Sequence, residues 1–204
     1  TSTKDGVFVA EGASMKATKK EAVIENAGGR GILLQGQADI KVITVKDCGD
    51  TLIKVGKNGV LNLGNGILQE GNYHGVDNAG TMNMMGGTIQ MNANCGIVNT
   101  GTLKVTSGNI SNNANKGILN KHEGTADVTS AMVTFTSNKI AIANEDKAKF
   151  EFSKAKVLMS TQTNIYCYDG TVNLHDAVLN ASTSNNVRIV DGTITMKNVE
   201  VNGN

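Results

Sequence analysis

The sequence repeats itself with a period of about 22 residues. Segments 75–95 and 96–116 align end to end without a gap, and segment 117–139 follows them with two inserted residues. A period of this length is typical of solenoids, in which each copy packs only against its neighbours. Looser copies fill the rest of the chain, which divides into nine coils at 6–30, 31–51, 52–74, 75–95, 96–116, 117–139, 140–163, 164–185 and 186–204.

Each coil contains three short runs in which apolar and polar residues alternate, as in Gly-Ile-x-Asn followed by Gly-Thr-φ-x-φ, where φ is apolar. Alternation with a period of two predicts strands, and no window carries a convincing helical stripe. The helix-like stretch from Met15 to Asn26 is better interpreted as part of a coil, because Ile24 matches Ile110. We therefore predict an all-β fold: a single-stranded parallel β-helix solenoid of about nine coils, forming one domain over residues 1–204.

Stacked coils place equivalent residues in columns, one residue from each coil. The chain has no Pro, no Trp and 24 Gly, which suits many tight turns and a core of aliphatic side chains. Corner asparagines are expected to form side-chain ladders, namely Asn78, Asn99, Asn120 and Asn26, Asn112, Asn138. The predicted inward columns are Val76, Ile97, Ile118; Met82, Leu103, Ala126, Phe150, Val172, Ile194; and Ile89, Ile110, Val133, Val157, Leu179, Val201.

The segments GVDNAGTMNMMGGTIQMN and GIVNTGTLKVTSGNISNN resemble the degenerate repeats of bacterial surface proteins in the right-handed parallel β-helix, pectate-lyase-like superfamily. The resemblance extends from about residue 31 to residue 204. It implies right-handed winding and an extracellular place, on the cell surface or secreted. Because the repeats reach both ends, we expect the chain to be excised from a longer surface protein. The superfamily includes lyases, glycosidases and adhesins, so the fold alone does not choose among them.

For an enzyme, the resemblance to this superfamily implies clustered acidic residues and long loops that form the walls of a cleft. This chain has no Asp-Asp dipeptide, only two Arg (Arg30 and Arg188), and insertions of only a few residues between coils. We therefore expect no enzyme, no catalytic residue, no metal site and no cofactor. The alternative is a polysaccharide lyase, a glycoside hydrolase or a degenerate carbohydrate-binding relative.

Charge and cysteine content exclude several classes of partner. Lys and Arg (19) nearly balance Asp and Glu (18), so nucleic-acid binding is not expected. No apolar run is long enough to insert into a membrane. The three Cys have no CxxC spacing and predict neither a disulfide framework nor a zinc site. A column of His74, Cys95, Lys116 and Lys139 could activate a thiol, although polar and small residues at a corner explain it as well.

The outward positions hold the remaining candidates. Tyr166 and Arg188 should be neighbours one coil apart, with Tyr168 close by, and an aromatic ring beside a guanidinium can bind sugars and carboxylates. We therefore predict an adhesin or spacer that binds a host or microbial glycan or protein, with end-to-end self-association at its open ends. The predicted outward columns are Asp77, Val98, Leu119, Ala141, Tyr166, Arg188 on the first face and Lys41, Asn62, Asn83, Lys104, Asp127, Glu151, Asn173, Thr195 on the second.

Overall fold

A computed structural model of the protein describes residues 4–18 and 22–203. Parts of the first and last predicted coils, at residues 19–21 and 204, lie outside the described residues. Within the described ranges the chain is all β, without a helix. The strands are β1 (Val7–Val9), β2 (Ser14–Ala17), β3 (Val23–Glu25), β4 (Ile32–Leu34), β5 (Gln37–Ile40), β6 (Thr44–Lys46), β7 (Ile53–Val55), β8 (Val60–Leu63), β9 (Ile67–Gln69), β10 (Val76–Asn78), β11 (Thr81–Gln90), β12 (Ile97–Asn99), β13 (Thr102–Ser111), β14 (Lys116–Asn120), β15 (Thr125–Val128), β16 (Val133–Glu145), β17 (Lys149–Ser153), β18 (Lys156–Tyr168), β19 (Thr171–His175), β20 (Val178–Leu179), β21 (Asn185–Ile189), β22 (Thr193–Lys197) and β23 (Glu200–Val201).

The strands pair in parallel, each with the equivalent strand of the coil before and the coil after. On the first face, for example, Val76 of β10 pairs with Ile53 of β7 and with Ile97 of β12. Four longer strands, β11, β13, β16 and β18, run through a corner and serve two faces. All nine coils thereby have three strand positions filled, at a spacing of roughly 22 residues. The predicted parallel β-helix is confirmed, while its handedness stays a prediction.

The core is one continuous column of apolar side chains inside the coils. The predicted inward positions of the first two faces are correct, and Ile97, Ile118 and Leu103 are at most 1% exposed. The third face differs at one position. Ile110 pairs with Phe135, which in turn pairs with Val157, whereas the predicted Val133 pairs with Gly108. Phe135 therefore fills this column, and its ring lies 6.0 Å from that of Phe152.

The corner after the third strand uses left-handed backbone without glycine. Asn26 and Asn112 have φ values of 57° and 54° and are exposed. They occur at a turn rather than in a buried ladder, which corrects their predicted role. Asparagine suits such a position because it tolerates positive φ better than most residues. Equivalent corner positions with φ between 51° and 58° are Asp47, Glu70, Met91 and Ser137.

Two ladders of buried asparagine side chains run along the solenoid axis. The first ladder runs from Asn78 through Asn99 and Asn120 to Asn144. Each of the first three donates from Nδ2 to the Oδ1 of the next, at 2.6, 2.7 and 2.8 Å. This ladder contains the three asparagines predicted for it and extends one coil further. The second ladder joins Asn92 to Asn113 at 2.8 Å and Asn113 to Asn138 at 3.0 Å. A buried amide group without hydrogen-bond partners would cost folding free energy. The ladders supply such partners to the asparagine side chains that are buried at the corners.

Candidate ligand-binding face

Tyr166, Tyr168 and Arg188 lie together on the outer side of the first face. Tyr166 and Tyr168 point outward from β18, because residues two apart on a strand face the same way. Tyr166 pairs with Arg188 of the next coil, whose guanidinium lies 5.8 Å from the centre of the tyrosine ring. Tyr168 is 46% exposed, Arg188 is exposed and Tyr166 is half-buried. The structure therefore brings all three predicted candidates into one patch.

The column beneath Tyr166 is apolar and buried although it faces outward. Tyr166 pairs with Ala143, Ala143 with Leu119, and Leu119 with Val98. We call these four residues the outer apolar strip. The sequence predicted Ala141 in this column, but the residue that pairs with Leu119 is Ala143. Ala141 itself is fully buried in the core.

An ion pair flanks the outer apolar strip. Lys116 Nζ lies 3.1 Å from Glu145 Oε1, and both side chains are largely buried. Lys116 lies two residues before the inward Ile118, whereas Glu145 lies two residues after the outward Ala143 of the next coil. The pair therefore joins opposite sides of the strip across neighbouring coils. The aliphatic side chains below Tyr166 hold its ring in place, and the Arg188 guanidinium lies over that ring.

The two arginines differ in what they contact. Arg30 Nε donates to Asp5 Oδ1 at 2.8 Å and its Nη2 donates to Asp5 Oδ2 at 3.0 Å. The hydrogen bond from Arg30 lowers the pKa of the Asp5 carboxyl. Arg188, by contrast, has no carboxylate in ion-pair range among residues 4–18 and 22–203. Its guanidinium donors are therefore available to an external acceptor.

A groove on the outer side of the second face holds a pair of carboxylates. Asp127 of β15 pairs with Glu151 of β17, in a groove of about 420 Å³. One oxygen of each carboxylate is buried without a hydrogen-bond partner in the described part of the chain. Lys104 and Lys149 line the same groove, yet neither forms an ion pair with these acids in that part.

The sequence pattern places Asp127 and Glu151 in the second outward column but does not relate their two carboxylates to each other. Acidic residues at equivalent positions of two successive coils were the signal available. One position of that column also needs correction, since Asn62 pairs with Asp39 and not with Lys41.

The predicted thiol column contains His74, Cys95 and Lys116, but its fourth member is Ile140, which pairs with Lys116, and not Lys139. Cys95 N donates to His74 Nδ1 at 3.2 Å. Burial lowers the pKa of His74 to about 4 and raises the pKa of the Cys95 thiol. A neutral imidazole beside a protonated thiol does not activate a nucleophile, so the column is structural.

Two further features concern residues 4–18 and 22–203, the ranges that the structure describes. There, no group of three or more His, Cys, Asp or Glu is arranged to hold a metal ion. No helix in those ranges has the length and apolar character to span a bilayer. Comparison with protein-family models, curated proteins and solved structures gave no match to this chain.

Proposed function

We propose that this chain is a non-enzymatic adhesin or spacer segment of a bacterial cell-surface or secreted protein, and that the patch of Tyr166, Tyr168 and Arg188 binds glycan or protein. The observation that carries the proposal is the Arg188 guanidinium, which has no ion-pair partner among residues 4–18 and 22–203 and lies 5.8 Å from the centre of the Tyr166 ring. Guanidinium groups bind carboxylates through two parallel hydrogen bonds, and aromatic rings supply apolar contact to a ligand's flat faces.

The solenoid supports such a role because it fixes the patch before a ligand arrives. Tyr166 and Arg188 are both on paired strands, and Tyr166 packs on buried aliphatic side chains. A preorganised site loses less conformational entropy on binding than a flexible one. The same rigid stacking suits a spacer that holds a ligand-binding surface away from a cell.

The test is a glycan-array screen of the purified chain, including acidic polysaccharides such as polygalacturonate, followed by a parallel screen against surface proteins. Arg188→Ala and Tyr168→Ala should each weaken binding at least tenfold, a loss of about 1.4 kcal/mol. Lys57→Ala removes an exposed positive charge several coils away, and Tyr73→Ala removes a tyrosine that is 48% exposed, close to the 46% of Tyr168. These two controls should bind like the wild type.

If neither screen detects binding, the binding role is contradicted and the spacer role remains. Specific binding that survives Arg188→Ala and Tyr168→Ala would move the site elsewhere on the solenoid.

A second candidate function, cleavage of a polysaccharide, is favoured by the Asp127–Glu151 pair in its groove. Neighbouring strands are about 4.8 Å apart, close to the separation of about 5–5.5 Å between the carboxyl groups of retaining glycosidases. Incubation with a panel of polysaccharides should then release new reducing ends, and Glu151→Gln and Asp127→Asn should abolish that release. Asp39→Asn, in the same column several coils away, is the control. No release from any substrate would exclude this candidate.

A further inference from the structure

The chain contains Asn-Gly dipeptides that begin at Asn58, Asn65 and Asn202. Asparagine is a thermolabile residue. When glycine follows it, the glycine main-chain nitrogen can attack the side-chain carbonyl carbon, because glycine has no Cβ to hinder the approach. The attack closes a succinimide ring, so its rate depends on how freely the structure leaves that nitrogen and that side chain to react. Asn202 lies next to the end of the described ranges, whereas Asn58 and Asn65 both lie in the third coil.

Asn58 and Asn65 occupy the two corners on either side of β8. Asn58 lies between β7 and β8, and Asn65 lies between β8 and β9. Both asparagines are exposed, and the glycine that follows each of them is buried. Exposure therefore does not distinguish the two dipeptides, and any difference in their reactivity has to come from their hydrogen bonds.

At the first of these corners the reacting groups are held by hydrogen bonds. Gly59 N donates to Gly56 O at 2.8 Å, and Asn58 Nδ2 donates to Glu11 Oε1 at 3.1 Å. The Gly59 nitrogen must give up its proton to attack, and its hydrogen bond to Gly56 opposes that loss. The folded chain therefore protects Asn58.

At the second corner the same groups are free. Over residues 4–18 and 22–203, Gly66 N donates no hydrogen bond and the Asn65 side chain forms none. The main chain around them is bonded, since Asn65 N donates to Lys41 O at 2.7 Å and Thr88 N donates to Gly66 O at 2.9 Å. The nitrogen and the carboxamide that would react are thus unbonded groups within a corner that is otherwise hydrogen-bonded.

We propose that Asn65 is a site of spontaneous deamidation in the folded chain and that Asn58 is not. Gly66 N forms a bond to Asn65 Cγ, the bond from Cγ to Nδ2 breaks, and the proton of Gly66 N leaves with the nitrogen as ammonia. Water then opens the succinimide ring. Breaking the ring bond at Cγ gives aspartate, and breaking the bond at the main-chain carbonyl carbon gives isoaspartate. Water is the co-reactant, and no electrons are transferred to or from the chain.

The modification changes both the charge and the backbone of the corner. Either product carries a carboxylate at position 65 and so lowers the formal net charge of +1 by one unit. A Cβ placed on Gly86 would lie 2.6 Å from Asn65 Oδ1, so the side chain at position 65 lies against the corner of the fourth coil. Isoaspartate also adds a carbon atom to the main chain between the hydrogen bonds to Lys41 and from Thr88. The site is independent of the ligand-binding patch proposed above, which lies in the eighth and ninth coils.

The test follows both dipeptides by peptide mapping with mass spectrometry while the folded 204-residue chain is kept in mildly alkaline buffer. Asn65 should convert at least about tenfold faster than Asn58. Isoaspartate should be among the products, because direct hydrolysis of the side chain gives aspartate alone. In a chain unfolded by guanidinium chloride both glycine nitrogens are free, so the two sites should convert at similar rates.

Two variants serve as controls. Asn65→Gln keeps a carboxamide, but its longer side chain closes the corresponding ring slowly, so conversion at position 65 should stop while the rate at Asn58 stays unchanged. Asn65→Asp carries the charge of the product and marks where the modified chain elutes in ion-exchange chromatography. Equal rates at the two sites of the folded chain, or a faster rate at Asn58, would overturn the proposal. So would a product that is aspartate alone, or an undiminished charge shift in Asn65→Gln.

Discussion

The first asparagine ladder can be tested by removing one member from its middle. Asn99 is fully buried. Its Nδ2 donates to Asn120 Oδ1 at 2.7 Å and to the carbonyl oxygens of Gly101 and Thr125 at 3.1 and 3.0 Å. Its Oδ1 accepts from Asn78 Nδ2 at 2.6 Å. Asn99→Ala removes all four hydrogen bonds at once and leaves Asn120 Oδ1 without its ladder donor.

The expected cost follows from the group that is left unpaired. A buried acceptor without a partner costs about 1–3 kcal/mol, and each lost hydrogen bond costs about 1 kcal/mol in addition. We therefore expect Asn99→Ala to lower the free energy of unfolding by about 2–5 kcal/mol, a large share of the 5–15 kcal/mol of an ordinary domain.

The ladder has a direction, and this supplies a matched control. Asn144→Ala removes the last member, which accepts from Asn120 and donates to Ala148 and Thr171 carbonyl oxygens. Asn120 Nδ2 then keeps two acceptors, the carbonyl oxygens of Gly124 and Lys149 at 3.0 and 2.9 Å. Within the described residues Asn78 Oδ1 has no partner even in the wild type, and Asn144→Ala orphans no further side-chain atom of the ladder. Asn144→Ala should therefore cost about 1–3 kcal/mol less than Asn99→Ala.

Urea unfolding followed by circular dichroism measures the difference. With a slope of about 2 kcal/mol per molar, a difference of 2 kcal/mol separates the two midpoints by about 1 M. A second probe should report the same midpoint if the coils unfold together. Equal midpoints for Asn99→Ala and Asn144→Ala would refute the reasoning, because the orphaned acceptor would then cost nothing.

Three further predictions concern the core, the pH dependence and the thiols. Phe135→Ala should lower the unfolding free energy by about 3–5 kcal/mol in the same urea assay, because the ring is fully buried; a loss under about 1 kcal/mol would show that its column is not tightly packed. His74 has its pKa lowered to about 4 by burial, so the unfolded chain takes up the proton first as the pH falls below about 6.5. Stability should therefore fall by about 3 kcal/mol between about pH 6.5 and 4, and a His74→Gln variant that shows the same fall would contradict this assignment. The three buried cysteines, whose pKa values are raised by burial, should react with a thiol reagent only after urea is added, and rapid labelling of the native chain would be evidence against their burial.

Three of the errors in the sequence prediction share a physical cause. Val133 was assigned in place of Phe135, Ala141 in place of Ala143 and Lys41 in place of Asp39. Each is a slip of two residues along a strand. A period-two pattern is unchanged by such a slip, so alternation alone does not identify the partner in the next coil. Ala141 was also predicted on the outer side, although it lies in the core. Only the position of the corner insertion sets the register, and alternation carries no information about it.

The candidate patch was predictable in part. The neighbourhood of Tyr166 and Arg188 followed from coil alignment, because those coils match without an ambiguous insertion. The aliphatic support under Tyr166 could not be predicted in this way, since it depends on Ala143 and on the ion pair between Lys116 and Glu145.

The sequence by itself determined the architecture: a repeat of fixed period, with alternating apolar residues and turn-forming Gly and Asn, can bury its core only by stacking coils. The tertiary structure alone decided which outward side chains are covered and which polar atoms lack partners. It buried Leu119 on an outer face, and within the described part of the chain it left Asp127 and Glu151 each with one oxygen that has no hydrogen-bond partner. Those properties depend on side chains from three or four successive coils at once, and the period of the sequence specifies the columns without specifying how far each side chain reaches across them.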